Sequence, residues 1–113
     1  MTDNEALGTQ ADPGNGGGIY NASATLTLNR STVSANKAVS LGSGGGIYSE
    51  GGTVTLNDST VSGNTASDGF GGGIYNFNST LTLNRSTVSA NDSSAASGGG
   101  SSPEPTSPAK PLP

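Results

Sequence analysis

Few residues in this sequence could do acid–base or metal chemistry. Its central part carries the carboxylates Glu50, Asp58, Asp68 and Asp92, at unrelated positions of a repeated pattern. Catalysis on polysaccharides needs carboxylates that come together in pairs, and no pair recurs here. The chain has no histidine and no cysteine, which excludes the commonest base, thiolate metal sites and disulfides. We therefore predict no catalytic residue, no metal site and no cofactor, and a polysaccharide-active enzyme fragment is the remotest alternative.

Three tyrosines could bind a ligand. Tyr20, Tyr48 and Tyr75 each follow the isoleucine of the recurring letters GGGIY. Side chains alternate along a strand, so an inward isoleucine places the next side chain outward. A column of outward tyrosines either stabilises neighbouring strands by aromatic stacking or offers a platform for sugar rings. Both interpretations stay open at this point, and the second makes glycans a candidate partner.

Threonines two residues apart form a second candidate surface. They recur once in each copy of the pattern: Thr25 with Thr27, Thr53 with Thr55, and Thr80 with Thr82. A flat array of this kind resembles the face of some ice-binding β-solenoids. Threonine is also a favoured surface residue of ordinary strands. Ice binding is therefore an alternative to a purely structural role.

These candidate residues lie in a pattern that the chain repeats three times. The copies read GGGIYNASATLTLNRSTVSAN from Gly16, GGGIYSEGGTVTLNDSTVSGN from Gly44 and GGGIYNFNSTLTLNRSTVSAN from Gly71. Apolar residues occupy equivalent positions, at steps of 27 or 28 residues: Ile19, Ile47, Ile74; Leu26, Val54, Leu81; Leu28, Leu56, Leu83; Val33, Val61, Val88. Only the segment after the last asparagine of each copy changes length, which marks it as a tolerant loop.

Within each copy the hydrophobic period is two, which is typical of strands with one buried face. We predict three short strands per copy, around GIYN, TLTLN and STVSAN, with Gly, Asn and Ser at the bends between them. If each copy is one turn of a solenoid, equivalent aliphatic residues stack about 4.8 Å apart and build a continuous core. The predicted fold class is therefore an all-β parallel solenoid of about three turns.

Polar residues also recur in columns. The two asparagine columns are Asn29, Asn57, Asn84 and Asn36, Asn64, Asn91. A buried asparagine can donate to one neighbouring turn and accept from the other, which would satisfy amides that are costly to bury alone. The residue after the first column alternates in charge, as Arg30, Asp58 and Arg85, and stacking would place opposite charges together.

The pattern divides the chain into three parts. We predict a flexible segment over residues 1–13, β-helix repeats over 14–97, and a disordered tail rich in Gly, Ser and Pro over 98–113. The three turns lie near 16–43, 44–70 and 71–97. Only 29% of the residues are hydrophobic. The predicted solenoid is consequently a marginally stable monomer, part of a longer solenoid, or a protein that associates end to end.

Composition limits the partners and the location. The net charge of −4 argues against nucleic acid, which favours a basic surface. The first residues lack the basic and apolar regions of a signal peptide, and no run approaches the ~20 apolar residues of a membrane helix. We therefore expect no membrane insertion by this segment, and export only as part of a longer parent chain.

The repeats resemble those of right-handed parallel β-helix proteins, and in particular the polymorphic outer membrane protein repeat of bacterial surface proteins. That repeat pairs a GGAI-type element with an FxxN element. Gly17–Ile19, Gly45–Ile47 and Gly72–Ile74 fit the first element, and Val33–Asn36, Val61–Asn64 and Val88–Asn91 fit the second, with valine in place of phenylalanine. The resemblance covers roughly Gly14–Ser97. It implies a right-handed β-helix and a structural, adhesin or passenger segment at the cell surface or outer membrane, facing a host or neighbouring cell.

Overall fold

The computed structural model describes residues 1–2, 4–6, 14–39, 42–67 and 69–93, and these contain strands but no helix. In chain order the strands are β1 (Glu5–Ala6), β2 (Ile19–Ala22), β3 (Thr25–Asn29), β4 (Thr32–Ser34), β5 (Lys37–Ala38), β6 (Ile47–Glu50), β7 (Thr53–Asn57), β8 (Thr60–Ser62), β9 (Thr65–Ala66), β10 (Ile74–Phe77), β11 (Thr80–Asn84), β12 (Thr87–Ser89) and β13 (Asp92–Ser93).

Every strand pairs in parallel with the equivalent strand of the next turn. The sheet orders are β10-β6-β2, β11-β7-β3, β12-β8-β4 and β1-β5-β9-β13. Ile47 pairs with Ile19 on one side and with Ile74 on the other, in the register that the repeat predicts. The predicted all-β parallel solenoid and its three strands per turn are confirmed. A fourth strand of two residues follows the second asparagine column, and the right-handed sense stays a prediction.

The core is a stack of aliphatic columns, and its side chains are most completely buried in the middle turn. Ile47, Val54, Leu56 and Val61 are all fully buried. Of their equivalents in the two end turns, Val33, Ile74 and Leu81 are also buried. The other five are only partly buried, because an end turn has a neighbour on one side alone: Ile19, Leu26, Leu28, Leu83 and Val88. At roughly 1.5–3 kcal/mol for each buried aliphatic side chain, the middle turn contributes most to stability.

Four corners bend each turn, and each corner contains one residue with a positive φ. Among the described residues these are seven non-glycine and five glycine residues. They align in columns: Gly16, Gly44, Gly71; Ser23, Gly51, Asn78; Arg30, Asp58, Arg85; Ala35, Gly63, Ala90. A left-handed backbone costs a residue with a side chain about 1–2 kcal/mol, and glycine avoids this cost. The same bend therefore recurs in every turn, even where a non-glycine residue makes its left-handed backbone unfavourable.

Glycines after the first corner are required by close packing. A Cβ built on Gly45 would collide with the carbonyl oxygens of Gly72 in the next turn and Thr65 in its own. A Cβ on Gly46 would come within 3.0 Å of the Asn64 amide nitrogen. The GGG letters thus keep the backbones of successive turns close and leave room for an asparagine side chain.

Asn36, Asn64 and Asn91 form the inner asparagine column. Asn36 Nδ2 donates to Asn64 Oδ1 at 3.1 Å, and Asn64 Nδ2 donates to Asn91 Oδ1 at 3.0 Å. The second hydrogen of the Asn64 amide goes back to the carbonyl oxygen of Val33 at 3.0 Å. Asn36 and Asn64 are buried, so these bonds supply the partners that burial requires.

The first residues of the chain continue this column. Asn4 Nδ2 donates to Asn36 Oδ1 at 2.9 Å, and β1 pairs with β5. The carbonyl oxygen of Met1 accepts from Asn36 Nδ2, as that of Val33 does from Asn64. The described residues 1–2 and 4–6 thus take the place of the last part of a preceding turn, which the sequence did not predict. Residues 7–13 and 94–113 lie outside the described residues, so the predicted division into three parts stays a prediction.

The alternating charges pair on one side only. Arg85 donates to both carboxylate oxygens of Asp58, from Nε at 2.7 Å and from a terminal nitrogen at 2.9 Å. These bonds hold the pKa of Asp58 below its usual range. No ion pair with Arg30 is found in the described part of the chain. The Arg85 side chain is 72% exposed, so the pair contributes little to stability.

Replacing one non-glycine residue at a left-handed corner by glycine should increase the stability of the protein. Ala35 has a φ of 56°, and the equivalent residue of the next turn is Gly63 at 66°. Ala35→Gly should raise the free energy of unfolding by roughly 0.5–1 kcal/mol, because relief of the backbone strain exceeds the entropy cost of glycine. Urea unfolding at constant m-value measures this change.

Two matched variants control this experiment. Ala22→Gly changes an equally exposed alanine inside a strand and should lower stability by about 0.5–1 kcal/mol. Gly63→Ala should destabilise by about 1 kcal/mol through φ alone, because its Cβ would meet nothing closer than 3.8 Å. Equal effects of the two alanine-to-glycine changes would contradict the assignment.

The inner asparagine column should matter far more than the outer one. Asn64→Ala takes the acceptor away from the buried backbone N–H of Asn36 and removes three side-chain bonds, to Asn36, Val33 and Asn91, at a cost of about 3 kcal/mol or more. Asn57→Ala removes equivalent bonds at the surface and should cost less than about 1 kcal/mol. Chemical denaturation of the two variants compares these costs, and similar values would contradict the role of burial.

Candidate functional site

The predicted tyrosines form one continuous stack on the outward face of the sheet β2-β6-β10. The ring centroids of Tyr20 and Tyr48 are 5.0 Å apart with an interplanar angle of 16°. Those of Tyr48 and Tyr75 are 5.2 Å apart at 19°. Each ring lies over the next because the strands pair in register. The rings are therefore stacked, and the middle ring has a neighbouring ring on each face, while the stabilising and sugar-binding roles of the column stay predictions.

Further aromatic rings extend this stack beyond the predicted residues. Phe77 lies two residues after Tyr75 on the same face, with ring centroids 6.3 Å apart. Phe70 lies 6.4 Å from Tyr75. Tyr20, Phe70 and Phe77 are 54%, 50% and 36% exposed, so the rings form a sizeable apolar surface on an otherwise polar molecule. We call Tyr20, Tyr48, Tyr75, Phe70 and Phe77 the aromatic face.

One carboxylate lies within the aromatic face. Glu50 pairs with Ala22 on one side and with Phe77 on the other. The Tyr48 hydroxyl donates to Glu50 Oε1 at 3.3 Å. Burial, and then the negative charge and hydrogen bond of Glu50, raise the pKa of Tyr48 to about 12. Tyr48 is therefore a phenol that keeps its proton to a higher pH than an ordinary tyrosine and donates a hydrogen bond to the Glu50 carboxylate.

The threonine columns lie on a different sheet, β3-β7-β11. Thr53 pairs with Thr25 and Thr80, and Thr55 pairs with Thr27 and Thr82. The outer asparagine column continues this array, with Asn84 Nδ2 donating to Asn57 Oδ1 at 2.8 Å. The outward face of these strands is consequently an uncharged lattice of hydroxyl and amide groups. The structure keeps the two predicted surfaces apart, so they do not form one site.

The carboxylates do not converge. Glu50 is bonded to Tyr48, and Asp58 is paired with Arg85 at a corner of another sheet. Asp92 lies in β13, and Asp68 falls outside the described residues. Within the part of the chain that the structure describes, no group of acidic residues could hold a metal ion.

Sequence reasoning missed the place of Glu50, Phe77 and an inward polar column. Asn21, Ser49 and Asn76 are buried two residues after the core isoleucines. Asn21 Nδ2 donates to Ser49 Oγ at 3.1 Å. The alternation of side chains could have located all of these residues. It places the second residue after each isoleucine inward and the second residue after each tyrosine outward.

Comparison with known proteins gives one match. The sequence pattern of the Chlamydia polymorphic membrane protein repeat matches residues 58–76. This segment runs from the corner at Asp58 through β8 and β9 to β10. No curated protein and no solved structure matches the chain. No helix among the described residues is long and apolar enough to cross a membrane. The match and the stacked parallel strands together fit a parallel β-helix that resembles these repeats, as found in surface or outer-membrane proteins.

Alkaline titration should resolve Tyr48. Its phenolate should appear near pH 12, above the ordinary value of 10.0. The folded chain holds this proton more tightly than the unfolded chain. The resulting stabilisation is therefore fully present below pH 10 and is lost as the pH rises through 12. Phenolate absorbance measures the titration. Glu50→Gln should lower the pKa while burial keeps it raised, and an unchanged pKa would contradict the assigned contact.

Proposed function

We propose that this chain is a rigid, non-enzymatic spacer segment of a surface or outer-membrane protein. The observation that carries this proposal is the unbroken register of all four sheets through three turns. Each turn is fixed to the next by backbone hydrogen bonds, by the aliphatic columns and by the inner asparagine column. Such a stack keeps its two ends at a fixed distance and orientation, which is the property that a spacer needs.

The match to a polymorphic membrane protein repeat supports a location at the surface. The carboxylates Glu50 and Asp58 support a non-enzymatic role, because they lie on different sheets and bond to different partners, Tyr48 and Arg85. The exposed sheet faces support an additional adhesive role. Equivalent outward side chains recur in each turn at a fixed spacing, so a partner could contact several of them at once. Contact with a host or neighbouring cell belongs to this proposal, as does membership of a longer solenoid.

A second candidate function is binding to a periodic ligand through the threonine columns. The observation that favours it is the uncharged lattice of β3, β7 and β11, whose three strands match residue for residue. Hydroxyl groups at two fixed spacings suit ice or a crystalline polysaccharide. The tyrosine column suits a glycan less well, because sugar stacking needs an open ring face and Tyr48 has rings on both faces.

Two neighbouring residues of β7 test the spacer. The chain is inserted between an outer-membrane anchor and an antibody epitope on a bacterial surface. Leu56→Asp places a carboxylate in a fully buried position, which costs several kcal/mol, and should cause proteolysis of the insert and loss of the epitope. Thr55→Asp introduces the same group on the outward face and should leave epitope display intact. Unchanged display in the Leu56 variant would contradict the proposal.

The same pair separates the second candidate from the first. Purified protein is measured for thermal hysteresis and for retention on insoluble polysaccharides. Binding through the threonine lattice predicts a signal that Thr55→Asp abolishes while the β-sheet spectrum persists. The absence of any signal in the unaltered chain would reject this second function and leave the spacer proposal standing.

A further inference from the structure

The spacer role does not explain why the stacked rings are phenols. Phenylalanine would stack equally well, yet Tyr20, Tyr48 and Tyr75 all carry a hydroxyl, and one of these hydroxyls is bonded to the Glu50 carboxylate. The rings lie on the outside of the solenoid, and Tyr20 is 54% exposed. Adjacent phenols, of which Tyr20 is exposed and Tyr48 is bonded to a base, are suited to oxidation.

We propose that Tyr20, Tyr48 and Tyr75 form an oxidative cross-linking site, at which a one-electron oxidant joins neighbouring turns through a dityrosine bond. The oxidant class is a haem peroxidase supplied with hydrogen peroxide. This inference depends on the tyrosine stack and on Glu50, and it does not depend on the spacer function.

Loss of an electron from Tyr48 requires an acceptor for its proton. An oxidised phenol is a strong acid, and the Tyr48 hydroxyl already donates to Glu50 Oε1 at 3.3 Å. Tyr48 is protonated at neutral pH, as any tyrosine is, so the loss of its electron must be accompanied by the loss of this proton. Glu50 receives this proton and passes it to solvent, since the side chain is exposed.

Coupling needs a second radical beside the first. The centroid of Tyr20 lies 5.0 Å from that of Tyr48, close to the separation of two directly bonded rings. An ortho carbon of each ring forms the new carbon–carbon bond as the rings turn out of the stack. Each of these carbons then releases its hydrogen as a proton, and the phenol oxygens are protonated again. In total the two tyrosines lose two electrons and two protons, and one hydrogen peroxide takes them up to give two waters.

The pair Tyr20–Tyr48 is favoured over Tyr48–Tyr75. Tyr20 is the most exposed of the three rings that stack in the column, whereas Tyr75 is flanked by Phe70 and Phe77. A bond between Tyr20 and Tyr48 covalently closes one turn of the solenoid. The chain has no cysteine, so a dityrosine would supply the kind of cross-link that disulfides give other small exported domains.

The test treats the purified full-length chain at low concentration with a haem peroxidase and hydrogen peroxide. The expected product is a monomer lighter by two hydrogens, with dityrosine fluorescence and a peptide map that links Tyr20 to Tyr48. Tyr48→Phe should abolish the intramolecular product, because Tyr20 and Tyr75 lie two turns apart. Tyr75→Phe is the matched control and should retain it.

A second variant tests the proton acceptor without altering the stack. Glu50→Gln should slow formation of the cross-link by about tenfold, which is less than the usual effect of a positioned base because water can replace it. Circular dichroism confirms that each variant keeps its sheet content. Cross-links only between molecules, an equal yield in the chain unfolded by urea, or an intramolecular product in Tyr48→Phe would each overturn the proposal.

Discussion

Backbone hydrogen bonds between parallel strands hold successive turns at a single spacing of about 4.8 Å. This spacing determines which residue types can occupy each position of the repeat. Each side chain lies directly over its equivalent in the turn below. A residue is therefore suited to this fold only if it packs well against a residue of its own kind. Isoleucine on isoleucine and leucine on valine meet this condition in the core, where Ile47 and Leu56 are fully buried.

Polar and aromatic residues satisfy the same condition in other ways. An asparagine side chain contains both a donor and an acceptor, so Asn36, Asn64 and Asn91 can bond in series. Tyrosine rings stack at the strand spacing. Charged residues are the exception, because like charges repel at this distance, and the single Asp58 between two arginines avoids such contacts. The low charge content of the sequence thus follows from the geometry of stacking.

The sequence predicted the repeated parts of the structure and missed the parts that differ between turns. The aliphatic columns and the three main strands were predictable because the period of two and the 27–28-residue repeat reinforce each other. The strand Lys37–Ala38 is too short to show an alternation. Asn4 lies 32 residues before Asn36, and this irregular step hid the partial turn at the start of the chain.

The candidate surfaces follow the same rule. The tyrosine and threonine columns recur in every copy, so their outward positions could be read from the letters. Glu50 is different, because its equivalents are Ala22 and Phe77, and comparison of the copies makes it look like random surface variation. Only the structure shows that its carboxylate accepts a hydrogen bond from the Tyr48 hydroxyl. A functional residue that occurs in only one copy of a repeat cannot be predicted by comparing the copies.

The two asparagine columns run in opposite senses. In the inner column each amide nitrogen donates towards the C-terminal end, from Asn36 to Asn64, whereas in the outer column Asn57 donates back to Asn29. The side-chain dipoles of the two columns therefore point in opposite directions along the stack. In an α-helix the peptide dipoles all align and leave partial charge at both termini, whereas each added turn of this stack would extend two opposed rows of amide dipoles.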